Sequence, residues 1–270
     1  MPGPASPPSA FARQQFSATD LVQARGARRV SVCLPARDEE ATIGAIVAAL
    51  VDELQERHPL LHEVIVVDDG SGDGTAARGR SAGARVVCSP RRGKGAAMQQ
   101  GLRASSGDIV VFCDADVHDF DTAFVLGLVG PLLIHDGIGF VKGFYDRPYQ
   151  GRHGQGGRVT ELVAKPLLRT LFPDLSWLCQ PLAGECAGRR DVLTHVPFVC
   201  GYGVDIALLI DIAQRFGCES LAQVDLGRRV HRNRPLEELA PQAEEVLRTV
   251  LARAGVAEAV PEAAPLSEQA

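Results

Sequence analysis

Acidic residues follow several of the apolar runs in this 270-residue chain. Asp114 and Asp116, separated by Ala115, come directly after one such run. At a turn, two carboxylates at this spacing can converge on one divalent cation, or one can bind the cation while the other accepts from a ribose hydroxyl. Asp68 and Asp69 end another apolar run and can accept hydrogen bonds from a base or a ribose. Each pattern alone also fits a solvated or capped turn.

Two further loops carry residues that suit anion binding or helix capping. Lys94 lies between Gly93 and Gly95 at an expected helix start, where backbone amides and the helix dipole also favour an anion such as a diphosphate. The spacing around Lys94 is not a Walker A motif, so nucleoside triphosphate hydrolysis is not indicated. The segment 35–40 (Pro-Ala-Arg-Asp-Glu-Glu) follows an apolar run in the same way. Capping by Asp38 explains this segment equally well when it is taken alone.

Apolar runs predict the strands that position these loops. They cover residues 30–34, 63–67, 84–88, 108–113 and 137–141. Helical patterns lie between them, at residues 43–54, 75–82, 95–104 and 122–134. Strand alternating with helix predicts an α/β fold with a mostly parallel sheet. Ligands of such sheets bind beyond the carboxyl ends of the strands, so we expect the polar loops to share one edge.

The regular alternation weakens after about residue 145. A glycine-rich loop, Gly151–Gly157, precedes a helix expected from Arg158, and an amphipathic helix is predicted over Asp205–Phe216. Residues 1–28 are expected to be disordered or loosely attached, because their first ten are rich in Pro, Ala and Ser. Residues 256–270, rich in Ala, Glu and Pro, are expected to form a disordered tail.

Composition excludes several classes of protein. The net charge of −5 argues against a nucleic-acid partner. The longest nearly apolar stretch, 124–134, is too short to span a bilayer, and the N-terminus does not resemble a secretory signal. We therefore expect a cytoplasmic protein without membrane insertion. Seven cysteines without a Cys-x-x-Cys pair indicate buried thiols, not a disulfide framework or a zinc site.

The four polar loops resemble the nucleotide-sugar half of a GT-A glycosyltransferase. Later stretches narrow the resemblance to the glucosyl-3-phosphoglycerate synthase family: GGRVTE at 156–161, QPLAGE at 180–185, GYGVD at 201–205 and RVHRNRPL at 229–236. The resemblance runs from about Val30 to Gly255. It implies a Rossmann-like GT-A fold, with residues 29–145 as the nucleotide-sugar-binding half and residues 146–255 as the acceptor-binding half.

The resemblance also implies an activity and a set of site residues. The expected reaction moves glucose from UDP-glucose to the 2-hydroxyl of 3-phosphoglycerate, with retention at the anomeric carbon, Mg²⁺ as cofactor and a homodimeric enzyme. The implied donor-binding residues are Pro35, Ala36, Arg37, Glu39, Asp68, Asp69, Lys94, Asp114, Ala115 and Asp116. The implied acceptor-binding residues are Arg158, Thr160, Leu182, Ala183, Gly184 and Asn233. The implied metal ligands are Asp116 and His231, and the residues expected to be catalytic are Asp116, Asp205 and Arg158.

The chemistry of His231 fits a metal ligand independently of the resemblance. Three nearby arginines, at 229, 232 and 234, disfavour an imidazolium and therefore favour the neutral ligand form. One imidazole among oxygen ligands makes Mn²⁺ a credible substitute for Mg²⁺. Two positions depart from the family pattern: Asp205 stands where Glu is usual, and Arg37 stands where an aliphatic residue is usual.

The mechanism and the function class leave alternatives. No residue is a convincing nucleophile, which favours attack of the acceptor on the donor face from which UDP leaves over a covalent enzyme intermediate. A transferase acting on another small acid or on a polyprenyl phosphate would share the first half of the chain. A nucleotidylyltransferase is disfavoured, because no glycine-rich loop follows the first predicted strand. A non-catalytic nucleotide-sugar sensor would keep the same fold.

Overall fold

A computed structural model describes residues 10–146, 157–229, 236–257, 262–263 and 265–268 of the chain. The strands within these ranges are β1 (Ala10–Ala12), β2 (Val30–Ala36), β3 (Glu63–Asp68), β4 (Arg85–Cys88), β5 (Ile109–Phe112), β6 (Phe140–Asp146), β7 (Cys186–Arg189), β8 (Phe198–Val199), β9 (Leu221–Arg228) and β10 (Glu262–Ala263). The α-helices are α1 (Ala18–Arg25), α2 (Glu40–Leu50), α3 (Thr75–Ser81), α4 (Lys94–Ala104), α5 (Ala123–Ile134), α6 (Lys165–Leu171), α7 (Arg190–Leu193), α8 (Val204–Phe216) and α9 (Leu236–Arg253). Two of them adjoin π-helical turns, since Val51–Arg57 continues α2 and Thr160–Ala164 precedes α6.

One large sheet holds the site together. Its order is β1-β9-β6-β7-β5-β2-β3-β4, and every neighbouring pair is parallel except the two that involve β7. The predicted mostly parallel α/β sheet is therefore confirmed. Because β7 runs against β5 and β6, the residues that precede β7 lie at the same edge of the sheet as the residues that follow β5.

The core forms two layers, one on each face of the sheet. Along β2, Val32 and Leu34 belong to the layer that contains α2 and α5, whereas Cys33 belongs to the layer that contains α4 and α8. All three side chains are fully buried. This alternation is the period-two pattern of a strand covered on both faces by helices.

Asp38, in the loop after β2, does not have the capping role predicted for it. Asp38 does not cap α2: the helix begins at Glu40, and the residue before it makes no side-chain capping bond. Asp38 has a positive φ of 56°, and its Oδ1 accepts from the backbone N–H of Gly72 at 2.7 Å. Its carboxylate therefore joins the loop after β2 to the loop after β3 instead of closing a helix.

The N-terminal segment from residue 10 differs from the loosely attached piece expected over 1–28. β1 extends the sheet beside β9, and α1 packs on α5. Ser17 caps α1 by accepting from the backbone N–H of Asp20, and Leu21 is fully buried in the core. Burial of the apolar side chains of Phe16 and Leu21 offsets the entropy cost of ordering this segment. The expectation of loose attachment was based on the composition of the first ten residues alone.

The described part of the region beyond Gly255 also contacts the body of the protein. β10 pairs antiparallel with β8, and Glu262 accepts a hydrogen bond from Arg253 at 2.7 Å. The backbone N–H of Ser267 donates to the carbonyl of Thr194 at 3.1 Å. The sheet likewise joins the two expected halves of the chain, since β6, β7 and β9 are neighbours in it.

The prediction of buried thiols holds for three of the seven cysteines. All seven are free: Cys33, Cys113 and Cys186 are buried, Cys179, Cys200 and Cys218 are partly buried, and Cys88 is exposed. Burial raises the pKa of the Cys33 and Cys186 thiols to about 12. None of the helices among the described residues is both long and apolar enough to cross a bilayer.

Replacement of Leu21 by alanine tests whether the N-terminal segment is part of the core. Leu21→Ala removes a fully buried side chain and leaves a cavity, so the free energy of unfolding should fall by about 2–5 kcal/mol. Leu162→Ala is the matched control, because Leu162 is 75% exposed and its loss should cost less than about 0.5 kcal/mol. Urea unfolding measures both. Equal, small effects would mean that the segment is only loosely attached.

Candidate active site

A cleft of about 580 Å³ opens at the carboxyl edge of the parallel strands. This edge is where ligands bind in such sheets, and the volume suits a nucleotide-sized ligand. Most of the residues selected from the sequence line it: Pro35, Ala36, Arg37, Glu39, Asp69, Lys94, Asp114, Ala115, Asp116, Arg158, Thr160, Leu182, Gly184 and Asp205. Asp68 and Ala183 do not line it, and His231 and Asn233 lie outside the described residues.

The acidic loop after β5 is held from two sides. The hydroxyl of Thr42, on α2, donates to the carbonyl of Ala115 at 2.6 Å, and the backbone N–H of Cys113 donates to the carbonyl of Cys33. A methyl group at Gly184 would lie about 2.1 Å from the Asp114 carboxylate. Because Gly184 has no side chain, the Asp114 carboxylate can occupy this space. Gly184 lies beside the carboxylate because it shortly precedes the antiparallel strand β7.

Arg229 and Glu185 form a buried ion pair behind the acidic loop. Both side chains are 1% exposed, and one guanidinium nitrogen donates to the Glu185 carboxylate. The same guanidinium lies 3.5 Å from Asp114 and 3.3 Å from Asp116, and it stacks over the Tyr145 ring. Burial alone would lower the pKa of Arg229, but Glu185 and the neighbouring acidic groups raise it above its usual range. Arg229 thus stays charged and orients both carboxylates of the loop.

Lys94 is the first residue of α4, and backbone contacts fix its position. Gly93 has a φ of +122°, and a side chain there or at Gly95 would clash with the carbonyls of residues 199–200. Both Asp69 oxygens accept from the backbone N–H of Gly93, at 3.0 and 3.2 Å. Asp69 therefore lines the cleft and also sets where α4 begins, which in turn places Lys94.

A chain of charges connects Lys94 to the core. Its Nζ donates to Asp205 Oδ2 at 2.8 Å and lies 3.4 Å from Asp114 Oδ1. The second oxygen of Asp205 accepts from Lys142 Nζ, also at 2.8 Å. Burial would lower the pKa of Lys94, but Asp114 and Asp205 raise it well above its usual range, so the ammonium stays charged. Asp205 is itself buried, in the first turn of α8, where the helix dipole also favours a carboxylate.

The charges at the edge of the sheet leave room for a cation. Among the described residues, one network joins four carboxylates, of Asp114, Asp116, Glu185 and Asp205, to three cations, Lys94, Lys142 and Arg229, and the charges of these seven groups sum to −1. The described residues contain no cluster of three or more His, Cys, Asp or Glu side chains that would hold a metal alone. This donor set fits Mg²⁺ or Mn²⁺, which commonly bind through one or two carboxylates together with the phosphates of a substrate.

The loops after β2 and β3 form a connected wall of the cleft. The backbone N–H of Glu39 donates to Thr75 at 2.8 Å. Asp68 accepts from the N–H of Ser71 at 3.1 Å, so it closes the turn after β3 outside the cleft. Arg37 lines the cleft and lies 3.9 Å from Asp38, and both side chains are about half exposed. Asp68, which was expected to bind the donor, therefore stabilises a turn outside the cleft. Arg37, which was also expected to bind the donor, does line the cleft.

A second wall of the cleft consists of the helix that begins at Arg158 and of α9, which contact each other. The predicted helix start is confirmed, with Arg158 and Thr160 facing the cleft and Thr160 buried. Three residues of α9 also line the cleft, namely Leu239, Gln242 and Val246. Sequence reasoning missed α9 here, although the apolar spacing of Leu239, Val246 and Val250 indicates a helix face that needs a partner. It also missed Lys142, whose signal is a lone lysine inside an apolar strand.

Comparisons with known proteins agree with this geometry. The family model described as "Glycosyl transferase family 2" matches residues 31–195. The glucosyl-3-phosphoglycerate synthase of Mycolicibacterium smegmatis is 46% identical over 258 residues, covering 91% of this chain and 84% of that protein. The synthase of the same name from Petrotoga mobilis is 46% identical over 237 residues, covering 83% and 73% of the two chains.

Solved structures match over nearly the whole chain. The Mycobacterium tuberculosis glucosyl-3-phosphoglycerate synthase in complex with Mn²⁺, UDP-glucose and phosphoglyceric acid superposes with a TM-score of 0.90 at 40% identity, covering 98% of this chain and 100% of that one. The same enzyme in complex with Mg²⁺ and UDP superposes with a TM-score of 0.89, covering 97% and 99%. The overall fold is thus shared with these structures.

Replacement of Arg229 by methionine tests whether the buried pair supports the acidic loop. Arg229→Met leaves Glu185 buried without its cation, so the free energy of unfolding should fall by about 3–5 kcal/mol. Adding Glu185→Gln should recover much of that loss. Arg189→Met is the control, because its partner Asp191 is 62% exposed and the pair should contribute only about 0–1 kcal/mol. Urea unfolding measures these changes. If the free energy of unfolding fell equally little in Arg229→Met and Arg189→Met, the buried pair would not support the acidic loop.

Proposed function

The chain belongs to the glucosyl-3-phosphoglycerate synthase family of glycosyltransferases, and we propose that it transfers glucose from UDP-glucose to the 2-hydroxyl of 3-phosphoglycerate. The observation that carries the proposal is the pairing of two different walls in one cleft. One wall has Lys94, Asp114 and Asp116, and the other has Arg158 and Thr160. A nucleotide sugar and a small phosphorylated acid can therefore meet in the same cavity.

The donor wall has the chemistry of a diphosphate site. Lys94 contributes an ammonium at the first residue of α4, where the helix dipole also favours an anion. The loops after β2 and β3 provide backbone and carboxylate groups suited to uridine, with Glu39 and Asp69 on the cavity surface. We assign the diphosphate to the Lys94 side of the cleft and the nucleoside to the side of these loops.

The metal site is assigned to Asp116 and, from the family resemblance, to His231. Bound Mg²⁺ or Mn²⁺ supplies a Lewis acid that stabilises the charge developing on the departing UDP. Asp116 is 41% exposed and lies on the cavity surface, which suits a ligand that shares its cation with a substrate phosphate. Arg229 donates to the Asp116 carboxylate at 3.3 Å and so fixes the orientation of this carboxylate.

The acceptor is assigned to the wall that contains Arg158. A guanidinium presents paired donors to oxyanions, and the Thr160 hydroxyl adds a neutral donor from the same turn. Asn233, Leu182, Ala183 and Gly184 are assigned to the acceptor from the family resemblance. Ala183 does not line the cleft, so its contribution is to hold the backbone on which Leu182 and Gly184 lie.

Asp205 supports a mechanism without a covalent intermediate. Both of its oxygens accept from lysines, and its side chain is only 5% exposed, so it holds Lys94 instead of attacking a sugar. The remaining contribution of the protein is to hold the acceptor hydroxyl near the anomeric carbon and to stabilise the leaving diphosphate. We therefore propose attack from the face that UDP leaves, which retains the anomeric configuration.

An assay of UDP release tests the proposal. UDP-glucose with 3-phosphoglycerate should give UDP in the presence of Mg²⁺ or Mn²⁺, and EDTA should abolish the release. Proton NMR of the product should show the α-anomer. Asp116→Asn, which removes a carboxylate from the assigned metal site, serves as the inactive control. Binding of UDP-glucose without turnover would instead indicate a sensor, and faster transfer to a polyprenyl phosphate would indicate a different acceptor class.

Replacement of Arg158 by alanine tests the acceptor assignment. The variant leaves the phosphate with fewer charge-assisted hydrogen bonds, each contributing about 1.5–3 kcal/mol, so the kcat/KM measured with phosphoglycerate should fall about ten- to a hundred-fold. The affinity for UDP should stay the same. Plain glycerate, which lacks the phosphate, should be affected much less. Arg169→Ala, an exposed arginine on the following helix, is the matched control. Equal losses with both acceptors would show that Arg158 does not bind the phosphate.

Two further properties stay predictions. A homodimer follows from the family resemblance, and a cytoplasmic location follows from the sequence analysis. Sedimentation of the purified enzyme and fractionation of the producing cells would measure them.

A further inference from the structure

Lys142 is a buried cation that none of the roles above uses. It lies in β6, between β7 and β9, and its side chain is only 2% exposed. It does not line the cleft. A lysine is seldom buried to this extent unless a carboxylate pairs with it. The position therefore calls for an explanation beyond packing, because an apolar residue would fill the same space without a desolvation cost.

Its partner is the carboxylate that also holds Lys94. Lys142 reaches from the sheet to the first turn of α8 and donates to Asp205 Oδ1 at 2.8 Å. Lys94 donates to the other oxygen, Oδ2, at the same distance. Asp205 thus stands between one lysine inside the core and one lysine on the cleft.

The charge that Lys94 presents to the cleft depends on this arrangement. Lys94 faces two carboxylates, Asp114 at 3.4 Å and Asp205 at 2.8 Å. Arg229 also lies 3.5 Å from Asp114, so without Lys142 it is the carboxylate of Asp205 that would offset the charge of Lys94. With Lys142 paired to Asp205 from the core side, that carboxylate has a second cation, and Lys94 can be attracted to an anion without leaving Asp205 unbalanced.

We propose that Lys142 is a positioning residue for the donor diphosphate, which balances Asp205 so that the ammonium of Lys94 remains available to the anion. The inference rests on the proposed function, since the diphosphate is that of UDP-glucose. It assigns a role in donor binding to a residue that has no access to the donor, and it explains why a buried lysine lies in the strand.

A cycle of charge variants tests the proposal with UDP as the probe. UDP lacks the glucose of the donor, so a contact between Asp205 and glucose would not affect the result. Calorimetry at fixed Mg²⁺ gives the Kd of UDP for the wild type, Lys142→Met, Asp205→Asn and the double variant. Lys142→Met should weaken UDP binding about tenfold, the order expected for loss of one unit charge in a partly buried site. The double variant should return to within about threefold of the wild type.

The result separates a charge role from a merely structural one. If the Kd of UDP is unchanged in Lys142→Met, or if the double variant binds no better than Lys142→Met, the inference is wrong. Should Lys142→Met fail to fold, the Kd of UDP is compared between Asp205→Asn and the double variant. The double variant should bind UDP about tenfold more weakly than Asp205→Asn, because only Asp205→Asn keeps the charge of Lys142. Equal affinities in that pair would overturn the inference.

Two controls complete the experiment. Lys165→Met removes a lysine paired with Glu161 on the helix surface and should leave the Kd of UDP unchanged. The Michaelis constant for the acceptor should change less than about twofold in Lys142→Met, because the acceptor lies on the other wall. A change confined to the acceptor's Michaelis constant would overturn the inference alone, whereas a wild type that does not bind UDP with Mg²⁺ would overturn the proposed function.

Discussion

Buried charges at the carboxyl edge of the sheet are the constraint on which the rest of the structure depends. An ion that leaves water without a partner costs several kcal/mol, so each charge here needs a counter-charge delivered by a separate element. Asp205 comes from α8, Lys94 from α4 and Lys142 from β6, while Glu185 precedes β7 and Arg229 follows β9. A small shift of any of these elements would leave a charge unpaired, and the fold is correspondingly specific at this edge.

The elements with local signals could be predicted from the sequence. Apolar runs and helical spacing located β2, β3, β5, α4 and α8 to within a few residues, and the position of polar loops after those strands indicated the edge where the cleft lies. The family resemblance added Arg158 and Thr160, which line that cleft. These inferences succeeded because each depends on a short stretch of chain.

Features that depend on distant partners could not be predicted in this way. The sequence around Asp38 fits a helix cap, but Gly72 binds its carboxylate from another loop. In the sequence, Lys142 is a single lysine within an apolar strand. Its partner, Asp205, is distant in the sequence and is identified only by the structure. The attachment of α1 depends on its packing against α5, and the direction of β7 depends on which strands it joins. Each of these requires the three-dimensional neighbours that local patterns do not contain.

The contact between α4 and residues 199–200 has a consequence for how this enzyme can diverge. At Gly93 and Gly95, the helix that begins with Lys94 touches the second half of the chain through bare backbone, with no side chain between them. A contact between two backbones cannot adapt through the exchange of one apolar side chain for another, whereas an ordinary core contact can. The two halves therefore cannot be treated as interchangeable modules. A hybrid that combines the first half of one relative with the second half of another should assemble only where both parents keep these glycines and the same course of the 199–200 backbone.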